Sequence, residues 1–243
     1  LGQLLRPRVW HLLGKAFSSG QHALELTCGT GEDAVWLARR GVQVTATDGS
    51  AGMVKVAAAK AKRAGVSDLV SVQQASLQQV AQEAITDTFD GVYSNFGGLN
   101  TIGDWQPLAQ ALAKIVKPGG QAILVPMGPW CPWETLWYLG NRQPKTAFRR
   151  FRQQAEAKIG PTTIPIWYPS ARRLRQDFLP WFRQLQCESL GLWLPPSYLD
   201  QFVNEMPEFF DKLNTFEKKT ARLTKGWGDH YIMVLERTDI TID

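Results

Sequence analysis

The sequence has few of the features that mark secreted or membrane-spanning proteins. Its three cysteines, Cys28, Cys131 and Cys187, form no CxxC pair and no Cys/His cluster. A disulfide framework and a structural zinc site are therefore not expected, and no other metal site is suggested. No apolar run approaches the roughly 20 residues of a membrane-spanning helix, and the first ten residues lack the apolar stretch of a signal peptide. We predict a cytoplasmic protein without membrane insertion.

Internal repeats and low-complexity tracts are also missing, and the composition excludes disordered and collagen-like chains. With 243 residues, 44% of them hydrophobic, the chain is long enough for one large domain with its own core. Two features stand out, a net charge of +5 and ten tryptophans. The positive charge makes nucleic acid one candidate partner.

Between residues 22 and 126, apolar segments of strand length alternate with segments of helical periodicity. This alternation is typical of βαβ units and a parallel sheet, with a further helix before residue 22 packed on it. The predicted strands are His22–Thr27, Val42–Thr47, Leu69–Gln74, Gly91–Asn95 and Gln121–Pro126.

The alternation stops after Pro126, and two more strands are predicted, at Leu190–Leu194 and His230–Glu236. We therefore assign 1–127 and 189–243 to the core and 128–188 to a helical insertion. Half of the tryptophans lie in this insertion. The stretch from Arg142 to Arg183 has a local net charge of +8, which leaves −3 for the remainder of the chain.

A glycine turn follows the first strand directly and opens a helix, in residues 23–33, ALELTCGTGED. Gly29 and Gly31 permit a tight turn and let a ligand lie against main-chain N–H groups. Asp48 ends the second strand, 17 residues after Gly31, where a carboxylate can accept both hydroxyls of an adenosine ribose. This layout is used by dinucleotide-binding enzymes as well as by other nucleotide-cofactor enzymes, so it leaves the cofactor open.

Four segments at these spacings resemble the class I S-adenosylmethionine-dependent methyltransferase family, in its small-molecule type. They are ELTCGTG at 25–31, Asp48 followed by GSxxM to Met53, FDGVYSNF at 89–96, and VKPGG at 116–120. Dinucleotide enzymes do not usually combine the last two. The resemblance implies S-adenosylmethionine as cofactor and S-adenosylhomocysteine as product. It also implies an α/β, Rossmann-like seven-stranded sheet of order 3-2-1-4-5-7-6, with the last strand antiparallel.

The family pattern also implies which residues hold the cofactor. Residues 25–31 would cradle the methionine end, Asp48 the ribose and Met53 the adenine. The full set is Glu25, Thr27, Cys28, Gly29, Gly31, Asp48, Gly49, Met53, Ala75, Ser76, Leu77, Asn95, Phe96 and Gly97. The sequence departs from the family at Thr27, where a first glycine is common, and at Ala75-Ser76, where many relatives have an Asp. The second departure leaves the adenine amino group to Ser76 or to main chain.

His230 is the candidate catalytic histidine. It opens the antiparallel last strand, so it is expected at the cofactor edge of the sheet, as an acceptor-positioning residue or general base. A hydrogen-bonded histidine at a strand end is the structural alternative. A base is optional for this chemistry, because an amine or carboxylate acceptor needs no proton removed before attack, whereas a hydroxyl does.

The insertion after the fifth strand is the expected acceptor side, because it overhangs the same sheet edge. Its candidate residues are Trp130, Trp133, Trp137, Arg149, Arg150 and Trp167. The tryptophans could line a pocket for an aromatic acceptor or form the insertion's own core, and the arginines could bind an anionic acceptor or face solvent.

The leading hypothesis is therefore a methyltransferase acting on a small organic acceptor, with transfer driven mainly by positioning. A nucleic-acid methyltransferase is one alternative, although residues 94–97, SNFG, differ from the motif that holds a flipped adenine. A non-catalytic binding protein of the same fold is another, and a nicotinamide-dependent oxidoreductase is the most remote. The acceptor, its methylated atom and the oligomeric state stay open.

Overall fold

A seven-stranded sheet forms the centre of the molecule. The structure is a computed structural model that describes residues 2–152, 154–159, 162–196, 203 and 205–239. The strands are β1 (His22–Glu25), β2 (Gln43–Asp48), β3 (Val70–Gln74), β4 (Phe89–Ser94), β5 (Val116–Leu124), β6 (Gln154–Ile159), β7 (Thr162–Trp167), β8 (Phe182–Leu190) and β9 (His230–Arg237).

The order across the sheet is β3-β2-β1-β4-β5-β9-β8, with β1 to β5 parallel. Strand β9 runs antiparallel to both β5 and β8. The Rossmann-like seven-stranded sheet is thus confirmed. Its numbering differs from the predicted 3-2-1-4-5-7-6, because β6 and β7 pair only with each other as a separate hairpin.

Helices cover both faces of the sheet. They are α1 (Gly2–Ala16), α2 (Glu32–Ala38), α3 (Ala51–Arg63), α4 (Leu77–Ala81), α5 (Gln106–Ile115), α6 (Pro132–Gly140), α7 (Pro144–Ala147), α8 (Ala171–Phe178) and α9 (Pro207–Thr224). Short 3-10 helices span Gly98–Thr101 and Arg149–Arg152. Helices α1, α2, α3 and α9 pack on one face and α4, α5 and α8 on the other. The alternation of strand side chains supplies both cores, with Ala23 on the first face and Leu24 on the second.

The strand predicted at Leu190–Leu194 is wrong. The chain turns at Gly191, which has a left-handed φ of 77°, and the sheet edge is formed by the preceding residues of β8. Strand β8 carries many polar residues and has a register irregularity between Gln184 and Gln186. An edge strand of this kind lacks the continuous apolar run that marks a central parallel strand.

The predicted insertion, 128–188, is also less helical and less separate than expected. It contains the β6-β7 hairpin, and its last part belongs to the core layers: Leu174 and Phe178 of α8 are fully buried, and β8 joins the sheet. The described elements between 128 and 170 lie outside the sheet layers, although Trp167 packs against the core. The predicted core segment 189–243 includes 197–202, 204 and 240–243, which lie outside the described residues. Among the helices that the structure describes, none is both long and apolar enough to cross a bilayer.

Candidate active site

The glycine turn after β1 has two glycines with different roles. Both have left-handed φ angles, 54° at Gly29 and 73° at Gly31. A Cβ added to Gly31 would lie 2.9 Å from the Cβ of Ala57, so this glycine lets α2 approach α3. A Cβ on Gly29 would meet nothing within 4 Å. The open space is therefore over Gly29, where a ligand can lie against the backbone.

Thr27 also has a left-handed φ, 54°, at the position where relatives often have glycine. Its hydroxyl donates to the Leu26 carbonyl and lies 3.0 Å from Ser94 Oγ. A Cβ added to Gly98 would lie only 1.7 Å from Thr27 Oγ1. The threonine side chain thus fills space that Gly98 leaves empty beside the cofactor edge.

The Asp48 carboxylate is fixed by main chain at the end of β2. One oxygen accepts a hydrogen bond from Gly29 N and the other from Ser50 N, each at 2.9 Å. An ionised carboxylate offers about four acceptor positions, so about two are left for a ligand. The half-buried Asp48 can therefore link the glycine loop to a vicinal diol such as that of ribose.

The residues predicted around the adenine come together beside Asp48. Met53, in the first turn of α3, is 39% exposed and can cover a flat ligand. Ala75 N donates to the Asp48 carbonyl, and a Cβ on Gly49 would approach the Cβ of Ser76 to 3.2 Å. Ser76 caps α4 through a reciprocal pair of hydrogen bonds with Gln79.

Leu77 is 2% exposed and packs in the hydrophobic core, so it can border this part of the pocket only through its main chain.

The opposite end of the pocket is built around a buried carboxylate on α2. Asp33 accepts hydrogen bonds from Trp10 Nε1 at 2.7 Å and from Asn95 Nδ2 at 2.9 Å, and it forms an ion pair with Arg6. The Arg6 guanidinium also lies 4.7 Å from the centre of the Phe96 ring. Helix α1 therefore covers the glycine loop and the end of β4.

Two acceptor atoms near this carboxylate are buried without a hydrogen-bond partner in the described part of the chain, Glu25 Oε2 and Asn95 Oδ1. Burial, reinforced by the neighbouring Asp33 carboxylate, raises the pKa of Glu25 well above its usual range, and Tyr93 and Arg6 oppose the rise only in part. Burial and the nearby Glu25 carboxylate likewise raise the pKa of the Cys28 thiol. An electronegative floor of this kind fits a cationic group such as an ammonium or a sulfonium.

His230 lies at the same edge of the sheet, at the start of β9. It bridges to Met127 through main chain, and its ring meets the edge of Phe96 with the ring centres 5.7 Å apart. Its Nδ1 atom lies 3.1 Å from Asp229 Oδ2, which is within ion-pair distance, at an angle outside hydrogen-bond geometry. The histidine is thus next to residue 96 of the predicted cofactor site, as its strand direction suggests.

Arg150 and Arg149, predicted on the acceptor side, are already paired inside the chain. The buried Arg150 guanidinium donates to Glu134 at 2.7 Å, to the Asp229 carboxylate at 2.6 Å, and to the carbonyls of Gly128 and Asp229. Arg149 donates to both oxygens of Glu134, at 2.9 and 3.1 Å. With its side chain only 5% exposed, Arg150 is out of reach of an acceptor.

The pKa values in this cluster fit a set of fixed charges. Burial opposes ionisation of Glu134 and Asp229, but Arg150 and, for Asp229, also His230 hold the pKa of each carboxyl below its usual range. Burial and the Asp229 carboxylate raise the pKa of Cys131 to about 12. Ligand atoms of Cys131, Glu134 and Asp229 lie within 4.8 Å of one another. Since Arg150 supplies the cation between the two carboxylates and the thiol stays protonated, the cluster has the chemistry of an ion-pair network rather than of a metal site.

An exposed aromatic patch, formed by Trp130, Phe148, Phe151 and Trp227, lies beside this cluster. Trp130 stacks on Trp227 with ring centres 5.7 Å apart and meets the edge of Phe151 at 5.1 Å. Phe148 lies 5.9 Å from Phe151. All four side chains are more than 40% exposed, which is unusual for large aromatic residues. Gly228 N donates to the Trp130 carbonyl, so the patch adjoins the Asp229–His230 segment.

The other predicted tryptophans have different surroundings. Trp133 is half-buried and Trp137 is 37% exposed, both on α6. Trp167 packs against the core, where its ring fills the space over Gly103. Trp167 therefore has a packing role.

Several residues of the site were not predicted from the sequence. They are Arg6, Trp10, Asp33, Asp229 and Trp227. The sequence carries a signal for two of them, because Asp229 precedes the candidate histidine directly and Trp227 belongs to the same loop. The others depend on how α1 packs, which spacing does not reveal.

Comparison with known proteins agrees with this geometry. Residues 23–120 match the model of a methyltransferase domain. Over 113 residues, 46% of each chain, the sequence is 35% identical to the ubiquinone biosynthesis O-methyltransferase of Paracidovorax citrulli. Over 107 residues, it is 29% identical to the demethylmenaquinone methyltransferase of Bacillus subtilis, covering 43% of this chain and 44% of that protein. The chain thus spans less than half the length of these curated relatives.

Solved structures resemble the chain over nearly its full length. An S-adenosylmethionine-dependent methyltransferase from Mesorhizobium loti matches with a TM-score of 0.60 and 14% identity, over 96% of this chain and 98% of that one. The [4+2]-cyclase SpnF matches with a TM-score of 0.61 and 17% identity, over 95% and 81%. At these identities the likeness concerns the fold. Taken with the domain match over residues 23–120, it shows a methyltransferase-like fold whose first half resembles a methyltransferase domain.

Proposed function

We propose that this protein transfers a methyl group from S-adenosylmethionine to a small organic acceptor. The observation that carries the proposal is the Asp48 carboxylate, held by Gly29 and Ser50 N–H groups beside the open backbone of the glycine loop. A nucleoside cofactor requires a carboxylate that accepts hydrogen bonds from its ribose hydroxyls and an uncovered glycine turn at the adjacent strand end. The buried, unpartnered oxygens of Glu25 and Asn95 supply acceptors for its cationic end.

Different residues of the site would hold different parts of the cofactor. Asp48 would hold the ribose, Met53 and the main chain of 75–77 the adenine, and Glu25 with Asn95 the methionine ammonium. The bound sulfonium supplies a methyl group and a good leaving group for an in-line displacement. The chain's contribution is then to align the acceptor and to exclude water, which α1 does by covering the methionine end.

The acceptor side is proposed at the aromatic patch and His230. Exposed Trp130 and Trp227 offer flat apolar surface next to the histidine, which suits an aromatic acceptor. The names of two relatives, in ubiquinone and demethylmenaquinone chemistry, point to the same class of acceptor. Arg149 and Arg150 would contribute little to binding of an anionic acceptor, since Glu134 and Asp229 already pair with them. Three buried free cysteines fit a reducing compartment, and we propose a cytoplasmic location.

Calorimetric titration with S-adenosylhomocysteine tests the cofactor assignment. In the Asp48→Ala variant we expect binding to weaken by about 1.5–3 kcal/mol, the usual contribution of a charge-assisted hydrogen-bond site. The matched control is Asp90→Ala, which removes another carboxylate that accepts a main-chain hydrogen bond, from His22 N at 2.8 Å, at the opposite end of the sheet. Equal affinity in wild type and Asp48→Ala would contradict the ribose assignment. No affinity in wild type would favour a protein that keeps the fold for another purpose.

A further inference from the structure

A line of buried charges leads from the insertion to the candidate histidine. We name it the charge relay; it consists of Glu134, Arg150, Asp229 and His230. Glu134 and Arg150 come from the insertion, whereas His230 begins β9 and Asp229 directly precedes it. The side chains are almost completely buried, with exposures of 1%, 5%, 9% and 12%. Burying four ionisable groups together costs solvation free energy, which only close pairing and further hydrogen bonds offset. The cluster therefore calls for an explanation.

We propose that Arg150 and Asp229 orient His230 so that its Nε2 atom removes the proton of an acceptor hydroxyl. This inference rests on the proposed function and extends it, because it assigns the acceptor to the hydroxyl-bearing class, phenols in particular. His230 is then the catalytic residue, and Asp229 and Arg150 are positioning residues that act through it.

The carboxylate of Asp229 is divided between its two neighbours. Oδ1 accepts from Arg150 at 2.6 Å, and Oδ2 lies 3.1 Å from His230 Nδ1. Arg150 is itself fixed by the carbonyls of Gly128 and Asp229 and by Glu134. In the proposed arrangement the ring turns slightly to bring Nδ1–H onto Oδ2, since the two atoms are already within ion-pair distance but at an angle outside hydrogen-bond geometry. The lone pair then resides on Nε2, which makes no hydrogen bond within the described part of the chain and is free to accept a proton.

The position of the ring fits this role. His230 meets the edge of Phe96, directly after Asn95 of the methionine end, and its neighbour Asp229 adjoins the aromatic patch through Gly228. The histidine therefore lies beside the proposed methyl-donor site and two residues from the main-chain contact that joins the aromatic patch.

The proton and the electrons balance in a single transfer. A lone pair of the acceptor oxygen forms the new bond to the methyl carbon, and the pair of the carbon–sulfur bond leaves with sulfur, which becomes a neutral thioether. The hydroxyl proton passes to His230 Nε2, giving an imidazolium that Asp229 stabilises, and is later released to water. Amine, thiolate and carboxylate acceptors need no such base, so a relay of this kind indicates a hydroxyl.

In the described part of the chain, the titratable and charged groups near His230 come from the residue before it, from the insertion and from α1. Asp229 is the residue directly before it, Arg150 and Glu134 lie behind Asp229, and Cys131 adjoins the same carboxylate. Arg6 of α1 lies on Phe96, the ring that His230 touches. A change of pH dependence in a variant of His230 is interpreted against these groups.

The test uses 4-nitrocatechol as acceptor probe, because its absorbance reports ionisation of its hydroxyls. The variants are His230→Gln and Asp229→Asn, and the control is Asp177→Asn, which changes another arginine-paired carboxylate, on α8 and outside the relay. We expect S-adenosylhomocysteine to bind all four proteins with similar affinity. In its presence, wild type and control should bind 4-nitrocatechol and shift its ionisation to lower pH, and the two relay variants should lose this shift.

Methylation of the same probe gives a second readout. At a pH well below the one at which the free probe ionises, we expect kcat to fall roughly 10²- to 10⁴-fold in His230→Gln and Asp229→Asn with little change in KM. The loss should shrink as the pH rises and the free probe ionises by itself, a recovery that a merely structural defect would not show. If Asp229→Asn fails to fold, as judged by circular dichroism, His230→Gln alone decides the test.

The outcomes separate the two proposals. Normal S-adenosylhomocysteine binding with no binding or methylation of 4-nitrocatechol, or with turnover that is unchanged in His230→Gln, overturns the relay and leaves the methyltransferase proposal in place. Failure of wild type to bind S-adenosylhomocysteine overturns the methyltransferase proposal itself.

Discussion

At the residue scale, Thr27 and Gly98 form an interdependent pair beside the cofactor edge. The Thr27 hydroxyl occupies the place that a side chain on Gly98 would need. We expect Gly98→Ala to destabilise the protein by roughly 1–3 kcal/mol, the usual cost of overpacking, and by clearly less in a Thr27→Gly background. Urea denaturation of both single variants and the double variant gives the coupling free energy. Additive effects would show that the two residues are independent.

Glu25 is a residue where stability and binding should respond in opposite directions. Because burial raises its pKa in the folded protein, the contribution of Glu25 to stability is complete below its unfolded pKa and is lost as the pH rises through the folded value. The neutral isostere in Glu25→Gln removes that loss. We expect a higher Tm at pH 8, on the order of 2–4 °C for each kcal/mol gained, and weaker S-adenosylhomocysteine binding. A lower Tm at pH 8 would contradict this account.

The residues that sequence reasoning brought together are those fixed by local chain geometry. Gly29 and Asp48 follow from a strand, a turn and the next strand end, and the structure joins them by a hydrogen bond. Arg150 could not be interpreted in the same way, because its partner Asp229 is 79 residues away. From sequence alone, a buried arginine that completes an internal network looks the same as one that faces an acceptor.

At the scale of elements, the parallel strands were predictable and the last two connections were not. Strands β1 to β4 are short apolar segments separated by helices, a pattern with few alternatives. Strand β8 has mixed polarity, so the apolar pattern predicts the strand at residues 190–194, which follow it. The three leucines of that segment are buried all the same, while Trp193 is exposed. Glu217 of α9 accepts hydrogen bonds from the main-chain N–H groups of Gly191 and Trp193 and holds the turn in place.

The contribution to stability of the contacts between the insertion and the start of β9 should depend on pH. Folding lowers the pKa of Glu134 and Asp229, so their stabilisation is present at neutral pH and is lost as the pH falls below about 4, toward the folded values. We expect Glu134→Gln to be less stable than wild type by about 1.5–3 kcal/mol at pH 7, since it loses a charged partner of Arg149 and Arg150.

This difference should shrink as the pH falls below the usual pKa of a glutamate, toward the lowered folded value at which Glu134 of the wild-type protein becomes protonated. Thermal melts followed by circular dichroism between pH 3 and 7 measure it. A difference in Tm that stays constant over this range would show that the charge of Glu134 is not what holds the insertion.

At the scale of the whole molecule, the positive charge is concentrated in one segment and is partly neutralised there. Arg149, Arg150, Arg173 and Arg183 all pair with carboxylates of the same chain. Paired arginines release few counterions from nucleic acid. We therefore expect no saturable quenching of tryptophan fluorescence by a single-stranded oligonucleotide at 50 mM salt. Tight binding that weakens steeply with added salt would instead favour a nucleic-acid acceptor.

The contacts of α1 with Asp33 and Phe96 also bear on the timing of a catalytic cycle. Arg6 and Trp10 close over the end of the site where the methionine part of the cofactor is proposed to lie. A ligand held beneath a helix can leave only when that helix lifts, so spent cofactor would depart at a rate set by the opening of α1 and not by the chemical step. Slow exchange of this kind gives a long residence time without requiring exceptional affinity. The ion pair between Arg6 and Asp33 would then hold α1 closed and would help to set the rate of product release.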